Sequence, residues 1–426
     1  MNDLATFIQT TTLVDTHEHL NSEASFVERG PDVLQDLFDN YITADLVVAG
    51  AAPAAVQRLI DKHDRDIEAR FAGVRAAWER CRHTGYGEAT RLIARLVYDM
   101  DEITVDAVAA AEPRNRALRQ PGGRLYLLRD LARLDHVQID NFNWPCAPDT
   151  ADPDFFLHDI SWVNFCEARI EPDKIYTETG VTVSDLASLR AAMEQIFERY
   201  GTLAVAVKTQ HAYTRTLEWR EQDDASAESS LQRHLAGYPL SEAERLCLGD
   251  WCLARGVELA ISYDLPFKIH TGYHAGHSRM PIDWLRAGLL CDLLTCYPQA
   301  RFILMHTAYP YSAELIALAK HYPSVYMDMC WAWSIDPRNA CEFVRRTIHS
   351  VPAHKLFVFG GDSFWPSASV AYATQTRAHL TRALQAEIDE GLLNEYEAIA
   401  FAERFMRTNQ EDCFDLARTR AALAAA

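Results

Sequence analysis

The sequence predicts a distorted (β/α)₈ TIM barrel. Eight short apolar runs, the number that such a barrel requires, alternate with longer segments whose apolar residues recur at helical spacing. The runs are Leu13–His19, His136–Phe142, Ile160–Cys166, Leu203–Lys208, Pro266–His270, Arg301–His306, Val325–Met329 and Leu356–Asp362. Several runs end in an ionisable residue, and the carboxyl ends of the strands in such a barrel converge on one face.

The predicted strands are almost continuously apolar, as parallel strands buried on both faces are. The segment Ile282–Cys296 carries a broad apolar stripe, begins after Pro281 and ends before Pro298, so we expect one helix there. We expect helices on the same grounds at Ser312–Tyr322 and Pro337–Ser350.

We expect the chain, residues 1–426, to be a single metal-dependent barrel domain with three additions. Residues from about 25 to 125, with helical patterns at Ala55–Cys81 and Tyr86–Met100, form a helical insertion after the first strand, packed over the barrel mouth. Residues 213–245 are polar and charged, so they are expected to form a lid or mobile loop. Residues 371–426 are expected to form C-terminal helices with a break near Gly391.

Composition makes some partners and locations less expected than others. The net charge of −19 disfavours binding to nucleic acid or to anionic membranes. The ten cysteines form no C-x-x-C pair, which is typical of reduced thiols in a cytoplasmic protein. The chain starts Met1-Asn2-Asp3-Leu4 without a secretory signal pattern, and no run approaches the ~18 apolar residues of a membrane span.

The motif Asp15-Thr16-His17-Glu18-His19 ends the first predicted strand. Side chains two residues apart on a strand face the same way, so His17 and His19 would both point into the barrel. Two neutral imidazoles on one face can share a metal ion. Two ordinary polar residues at a strand end remain the alternative for this pair alone.

The same pattern recurs at later strand ends. His270, His306 and Asp362 end the fifth, sixth and eighth runs, and Lys208 ends the fourth. Burying these groups without partners would be costly, and a shared metal ion removes most of that cost. A satisfied hydrogen-bond network is the alternative for the set.

Lys208 has three interpretations. It is a cation that binds substrate, a structural ion-pair partner or, if carbamylated, a bridge between two metal ions. We favour the unmodified lysine as a substrate contact.

Other candidates are less specific. Arg279 follows the fifth strand, together with His274 and His277, and could hold a substrate carboxylate or lie in a surface loop. Aromatic residues near the strand ends would wall a substrate pocket or pack between barrel and helices. They are Trp331, Trp333, Trp365 and Tyr309, and Arg215 is a comparable candidate.

The order of these residues resembles the amidohydrolase superfamily. The likeness rests on His-x-His in the first strand, Lys in the fourth, His in the fifth and sixth, and Asp in the eighth, and it extends from Asp15 to Asp362. The tail Leu384–Leu416 with Asn409, and the start of the chain at the first strand, are similar to the branch that contains uronate isomerases and metal-dependent decarboxylases and lactonases. The sequence Gly-Gly-Asp-Ser-Phe-Trp around Asp362 departs from the patterns of characterised activities.

The resemblance implies that His17, His19 and Asp362 bind the principal metal ion. It implies that His270 is a further ligand or a close contact, and that His306 binds a second metal or touches the substrate. One divalent ion is expected, most readily Zn, with Mn, Fe or Co as alternatives.

Three functions follow as hypotheses. The first is hydrolysis of an amide, ester or lactone in a small carboxylated substrate, with Asp362 and His306 catalytic and with Lys208, Arg279, Trp331 and Tyr309 binding substrate. The second is a decarboxylase or uronate isomerase-like reaction at the same metal site. The third is a non-catalytic binding barrel. Related barrels often assemble, so a homo-oligomer is one expected partner besides the substrate.

Overall fold

Eight parallel strands form one sheet in the order of the chain, which confirms the predicted (β/α)₈ barrel. The computed structural model describes residues 3–149 and 152–425. Met1 and Asn2, on which part of the signal-peptide expectation rests, lie outside these ranges. The strands are β1 (Leu13–Glu18), β2 (Leu134–Ile139), β3 (Phe156–Ser161), β4 (Ala204–Thr209), β5 (Phe267–Ile269), β6 (Phe302–Leu304), β7 (Val325–Asp328) and β8 (Leu356–Phe357).

Backbone hydrogen bonds bring the segment after β8 back to β1. The Thr16 amide donates to the Phe359 carbonyl at 3.1 Å, and the Asp362 amide donates to the His17 carbonyl at 2.9 Å. The His19 amide donates to the Ser363 carbonyl at 3.0 Å. The predicted first and last strand ends therefore lie side by side, which places His17, His19 and Asp362 together.

The third strand begins and ends earlier than predicted. Phe156–Ser161 is the strand, whereas Val163–Cys166, the end of the predicted run, is a short helix. The Trp162 indole donates to the Cys252 carbonyl at 2.9 Å, so this apolar turn packs on the helix Glu242–Ser262. A short apolar run does not distinguish a buried strand from a buried helix. Here the packing against the helix Glu242–Ser262 accompanies a helical turn at Val163–Cys166.

Helices occupy most of the connections between strands. Ahead of β1 lies Asp3–Thr10. Between β1 and β2 lie Glu23–Arg29, Val33–Phe38, Ile42–Val48, Pro53–Ile60, Ile67–Ala72, Arg75–Cys81, Gly85–Tyr98, Val105–Leu118, Gly123–Leu125 and the π-helix Tyr126–Leu131. Between β3 and β4 lie Val163–Cys166, Pro172–Thr179 and Leu186–Tyr200, and between β4 and β5 lie His211–Tyr213, Asp224–Leu235 and Glu242–Ser262.

The later connections and the tail are also helical. Between β5 and β6 lie Ile282–Leu285, Ala287–Leu290 and Cys291–Cys296, and between β6 and β7 lie His306–Ala308 and Ser312–His321. Between β7 and β8 lie Ala332–Ile335, Pro337–Ser350 and Ala353–Lys355. After β8 come Pro366–Asp389, Glu395–Glu403, the π-helix Arg404–Thr408, Asn409–Cys413 and Leu416–Ala425.

The helix expected at Ile282–Cys296 is broken. Two 3₁₀ turns precede the α-helix, and between them Arg286 is extended, with φ −69° and ψ 124°. The apolar stripe is kept because Leu285, Leu290 and Leu293 are all buried. The periodicity predicted which residues face the core, but it did not predict that two 3₁₀ turns would precede the α-helix.

The helices after β1 pack against the first helix after β8. The Gln375 amide donates to the Gly85 carbonyl at 2.8 Å and to Glu88 Oε2 at 2.9 Å. This packing positions the insertion so that Tyr41 reaches the carboxyl end of β8, where its hydroxyl donates to the Asp362 carbonyl.

Residues 213–245 contain a helix, Asp224–Leu235, rather than loop alone. Leu217 and Trp219 in this segment are buried, and Arg215 forms an ion pair with Asp250. The lid role of the segment stays a prediction. In the part of the chain that the structure describes, no helix combines the length and apolar character needed to cross a bilayer.

Candidate metal centre

Three ligand-type side chains converge where β1 meets the segment after β8. The Nε2 atoms of His17 and His19 lie 3.4 and 3.3 Å from Asp362 Oδ1. His17 and Asp362 are buried, and His19 is mostly buried. The two histidine rings meet edge to face with centroids 4.7 Å apart. Two imidazole nitrogens and a carboxylate oxygen in this arrangement are suited to a divalent metal ion.

The tautomer of His19 supports metal binding. Its Nδ1 lies 2.6 Å from the Asp140 backbone carbonyl, which can only accept, so Nδ1 carries the proton. Nε2 then presents its lone pair towards Asp362 Oδ1, where a cation bound between them would relieve the repulsion. A backbone carbonyl that fixes the tautomer in this way is the usual support of a metal-binding histidine.

Asp362 sits in a constrained position. Its φ of 53° lies in the left-handed region, which a non-glycine residue adopts at some cost and which clusters at functional sites. Burial by itself raises the pKa of the Asp362 carboxyl, but the close approach of His17 and His19 holds that pKa well below its usual range. The side chain is therefore a carboxylate.

A buried carboxyl pair behind the metal centre was not among the predicted site residues. Asp15 Oδ1 accepts from the His17 and Gly361 amides, and Glu18 accepts from the amide and hydroxyl of Ser363. Burial raises the pKa of Glu18 to about 7. The signal in the sequence was the presence of two acids, Asp15 and Glu18, on either side of His17 in the predicted first strand.

His270 and His306 stand next to each other beside the cluster. Their ring centroids are 4.3 Å apart, and His270 Nε2 lies 3.1 Å from the Tyr273 carbonyl. Burial lowers the pKa of His270 well below its ordinary value and that of His306 to about 4, so both rings are neutral. His270 lines the same cavity as His17 and His19, but it lies outside the close group formed with Asp362.

Lys208 projects from β4 into the same space. Its Nζ donates to Gln210 Oε1 at 3.1 Å and lies 3.4 Å from His17 Nε2, and the residue is 1% exposed. No acidic side chain within salt-bridge distance of Lys208 occurs among the described residues, unlike Lys268, which pairs with Asp159. Lys208 therefore lines the cavity without a carboxylate partner among the described residues.

The cavity above the cluster has a volume of about 360 Å³. Its walls combine aromatic rings with the polar groups of the centre: His17, His19, Tyr41, Phe142, Val163, Glu167, Arg169, Lys208, Gln210, Tyr213, His270, Ala275, Asp362 and Phe364. Phe142 and Phe364 stack on His19 with centroids 4.5 and 5.4 Å away. Sequence reasoning missed Tyr41, Glu167, Arg169 and Tyr213; only their proximity to strand ends could have indicated the last three.

The other predicted contacts lie farther out. Trp331 is buried, stacks on Tyr41 at 4.2 Å and meets His306 edge to face at 5.5 Å. Tyr309 packs against Tyr273 at 6.0 Å and is not among the residues that line the cavity.

The structure does not bring two of the predicted arginines to this cavity. Arg279 is exposed and lies over the Trp284 ring, 4.4 Å from its centroid. Arg215 is held by Asp250 and by the Cys166 carbonyl. Trp333 donates to the Val358 carbonyl and Trp365 to Asp39, so both indoles act in packing.

Comparisons with known proteins relate the chain to one family and to several solved structures. The family model described as Amidohydrolase matches residues 176–395, just over half of the chain. The chain is 24% identical over 253 residues to Protein fluG of Emericella nidulans, which covers 55% of this chain but only 29% of that protein. The chain therefore spans less than a third of the length of this curated relative.

Solved structures share the fold over nearly the whole chain. A glucuronate isomerase from Caulobacter crescentus is 14% identical with a TM-score of 0.80, covering 97% of this chain and 93% of its own. A uronate isomerase from Thermotoga maritima is 14% identical with a TM-score of 0.76, covering 96% of both chains. A Lactobacillus casei ATCC 334 protein named as a metal-dependent hydrolase is 17% identical with a TM-score of 0.67, covering 98% and 99%.

These structural likenesses show the fold, and the family model shows the family. The residue order along the strands, the barrel and the convergence of His17, His19 and Asp362 are consistent with it. The chain belongs to the amidohydrolase family.

Proposed function

We propose that this protein is a metal-dependent hydrolase that cleaves an amide, ester or lactone bond in a small carboxylated substrate. The observation that carries the proposal is the convergence of His17 and His19 Nε2 on Asp362 Oδ1, beside the buried ammonium of Lys208. Zinc suits two imidazoles and a carboxylate, and Mn, Fe and Co are alternatives. Since all ten cysteines are free, we further propose a reducing, cytoplasmic location.

The donor set fits the proposed ion. The His19 tautomer leaves Nε2 available, and Asp362 is ionised in surroundings that bury it. When bound, a divalent metal ion would activate water and polarise a substrate carbonyl as a Lewis acid.

Asp362 would move the protons, and His306 would help to polarise the substrate carbonyl. The Asp362 carboxylate is positioned to accept a proton from the attacking water and to return it to the leaving group. His306 is neutral and buried, with its Nδ1 on the Cys330 carbonyl, so its ring has a fixed orientation from which to contact the substrate. His270 lines the cavity beside it and would serve as a further ligand or contact.

The cavity supports a small acid as substrate. The ammonium of Lys208 would bind the carboxylate, whereas Arg169, which lies at the rim with its side chain 61% exposed, is already paired with Glu167. Phe142, Tyr213 and Phe364 supply flat apolar walls, which favour a compact ring over a polyhydroxylated chain.

A second candidate is a non-hydrolytic reaction, either decarboxylation or uronate isomerisation. The observation that favours it is the likeness to the Caulobacter crescentus glucuronate isomerase over 97% of this chain. The same residues would act, with Asp362 or His306 moving a proton between substrate carbons or oxygens.

Product analysis in ¹⁸O-labelled water separates these functions. Purified protein loaded with Zn or Mn would be assayed on carboxylated amides, lactones, uronates and aromatic acids. Label in the new carboxylate is expected for hydrolysis, and Asp362→Asn is expected to abolish turnover while the exposed Asp101→Asn does not. Turnover of a uronate or release of CO₂ without label would support the second candidate. Absence of turnover on every compound would support a binding barrel.

Lys208 has its own test. Lys208→Met is expected to raise KM for the carboxylated substrate by about tenfold or more while the metal content per chain stays at the wild-type value. Lys208→Arg would recover part of the binding because it keeps the charge. Loss of a second metal ion in Lys208→Met would instead identify a carbamylated, bridging lysine.

A further inference from the structure

A second group of ligand-type side chains lies beside the proposed metal centre. A ring nitrogen of His306, the Sγ of Cys330 and a carboxylate oxygen of Asp362 lie within 4.8 Å of one another. All three residues are buried. His306 follows β6, Cys330 follows β7 and Asp362 follows β8, so three successive strand ends contribute one ligand each.

The His306 ring has one nitrogen available for this group. Its Nδ1 lies 3.0 Å from the Cys330 backbone carbonyl, which can only accept, so Nδ1 carries the proton. Nε2 is then an acceptor, and within the described residues it is buried without a hydrogen-bond partner. An unpaired buried acceptor costs free energy, which a bound cation would recover.

Backbone strain is concentrated at the same three strand ends. His306 has a φ of 62°, Trp331, directly after Cys330, has 64°, and Asp362 has 53°. Each is a non-glycine residue in the left-handed region, where strain is tolerated chiefly at functional sites. The strain does not itself identify a ligand, but it shows that the fold holds these three segments in specific, unfavourable conformations.

We propose that His306, Cys330 and Asp362 bind a second divalent ion of the zinc or cobalt type. A thiolate with an imidazole selects such borderline-soft ions over magnesium or calcium. Cys330 would release its thiol proton to solvent on binding, and the sulfur–metal bond replaces the sulfur–hydrogen bond. Asp362 has two oxygens and would bridge this ion to the one held by His17 and His19.

The inference goes beyond the proposed function, which needs one ion, and it shares Asp362 and His306 with it. It also differs from a second ion held by carbamylated Lys208, because only Cys330 supplies sulfur. A spectroscopic test of sulfur ligation therefore separates the two.

The experiment is cobalt substitution of the full chain. Apoprotein prepared with a chelator would be titrated with Co²⁺ while absorption is recorded and bound metal is counted. We expect two ions per chain and a sulfur-to-cobalt charge-transfer band in the near ultraviolet. Cys330→Ser is expected to lose this band and one ion while retaining the other.

The controls separate folding from ligation. The exposed Cys296→Ser and the buried Cys413→Ser are expected to keep both the band and both ions. If Cys330→Ser does not fold, the wild-type spectrum still decides, because sulfur ligation must appear there. His306→Asn provides a second variant, which is expected to weaken the same ion.

Each remaining outcome has a defined meaning. One ion per chain without the band would overturn the inference and leave the proposed function intact. Two ions without the band would place the second ion elsewhere and also overturn it. No bound ion would overturn both the inference and the proposed metal chemistry.

Discussion

Ser363 donates two hydrogen bonds to one oxygen of Glu18, from its amide at 2.6 Å and from its hydroxyl at 3.0 Å. Glu18 lies between His17 and His19, and Ser363 directly follows Asp362. The contact therefore joins the two segments that supply the clustered ligands. Ser369 adds a hydrogen bond from its hydroxyl to the other carboxyl oxygen at 2.5 Å.

Glu18→Gln is expected to weaken metal binding by about 10- to 100-fold, although Glu18 does not touch the proposed ion. The side-chain NH₂ of the glutamine would face a hydrogen-bond donor of Ser363 or Ser369, so one of the present hydrogen bonds would be lost. Asp362, which directly precedes Ser363, would then lose its fixed position relative to His17. The measurement is a metal titration of the apoprotein.

Glu194→Gln is the matched control, since Glu194 is exposed on the helix Leu186–Tyr200. Its metal affinity should equal that of the wild type. An unchanged affinity in Glu18→Gln would show that Glu18 has no positioning role.

Removal of metal should destabilise the folded protein. A ligand that binds only the folded state stabilises it by about 4 kcal/mol when its concentration is a thousand times its Kd. We expect a chelator to lower Tm and added Zn²⁺ or Mn²⁺ to restore it, as measured by calorimetry. His19→Ala should show a much smaller response, and an equal response would place the stabilising ion away from this centre.

The barrel interior contains a fully buried ion pair below the metal centre. Lys268 Nζ lies 2.9 Å from both oxygens of Asp159 and donates to the Thr16 carbonyl at 2.7 Å. Lys268→Met is expected to lower the free energy of unfolding by about 3–5 kcal/mol, because it leaves the Asp159 carboxylate unpaired.

The double variant Lys268→Met/Asp159→Leu should recover most of that loss, since it removes both charges. Chemical denaturation of the two variants measures the difference. A double variant less stable than Lys268→Met would show that the pair itself, and not the unpaired charge, determines the stability.

The contact between the insertion and the C-terminal helix should depend on pH. Hydrogen bonds from His379 and Gln375 lower the pKa of Glu88 from 4.5 to about 2. The ionised Glu88 therefore stabilises the fold above pH 4.5, and this contribution is lost as pH falls from 4.5 towards 2.

Glu88→Gln should accordingly lower stability near pH 7, by about 1 kcal/mol because the side chain is partly exposed to solvent. The deficit should shrink as pH approaches 3, and thermal unfolding at several pH values measures it. Glu68→Gln on the exposed surface is the control. A deficit that stays constant with pH would assign the effect to packing.

The sequence by itself determined the barrel. Eight apolar runs that alternate with segments of helical spacing identified the strands, because parallel strands covered by helices must be almost continuously apolar. It also indicated His17, His19 and Asp362, since polar groups at the ends of buried strands must meet on one face. Helix Pro337–Ser350 has the predicted bounds, because Pro337 and the capping Asp336 begin it.

Only the tertiary structure decided which neighbours complete the site. Tyr41 comes from the insertion and reaches Asp362 across 321 positions of sequence, a distance over which no local pattern operates. Arg279 was expected near the substrate, yet its loop places it over Trp284 at the surface. The end of β3 also depended on packing, because the Trp162 indole found a partner carbonyl on another helix. Local periodicity determines which face of an element is buried, whereas contacts between distant segments determine what that face meets.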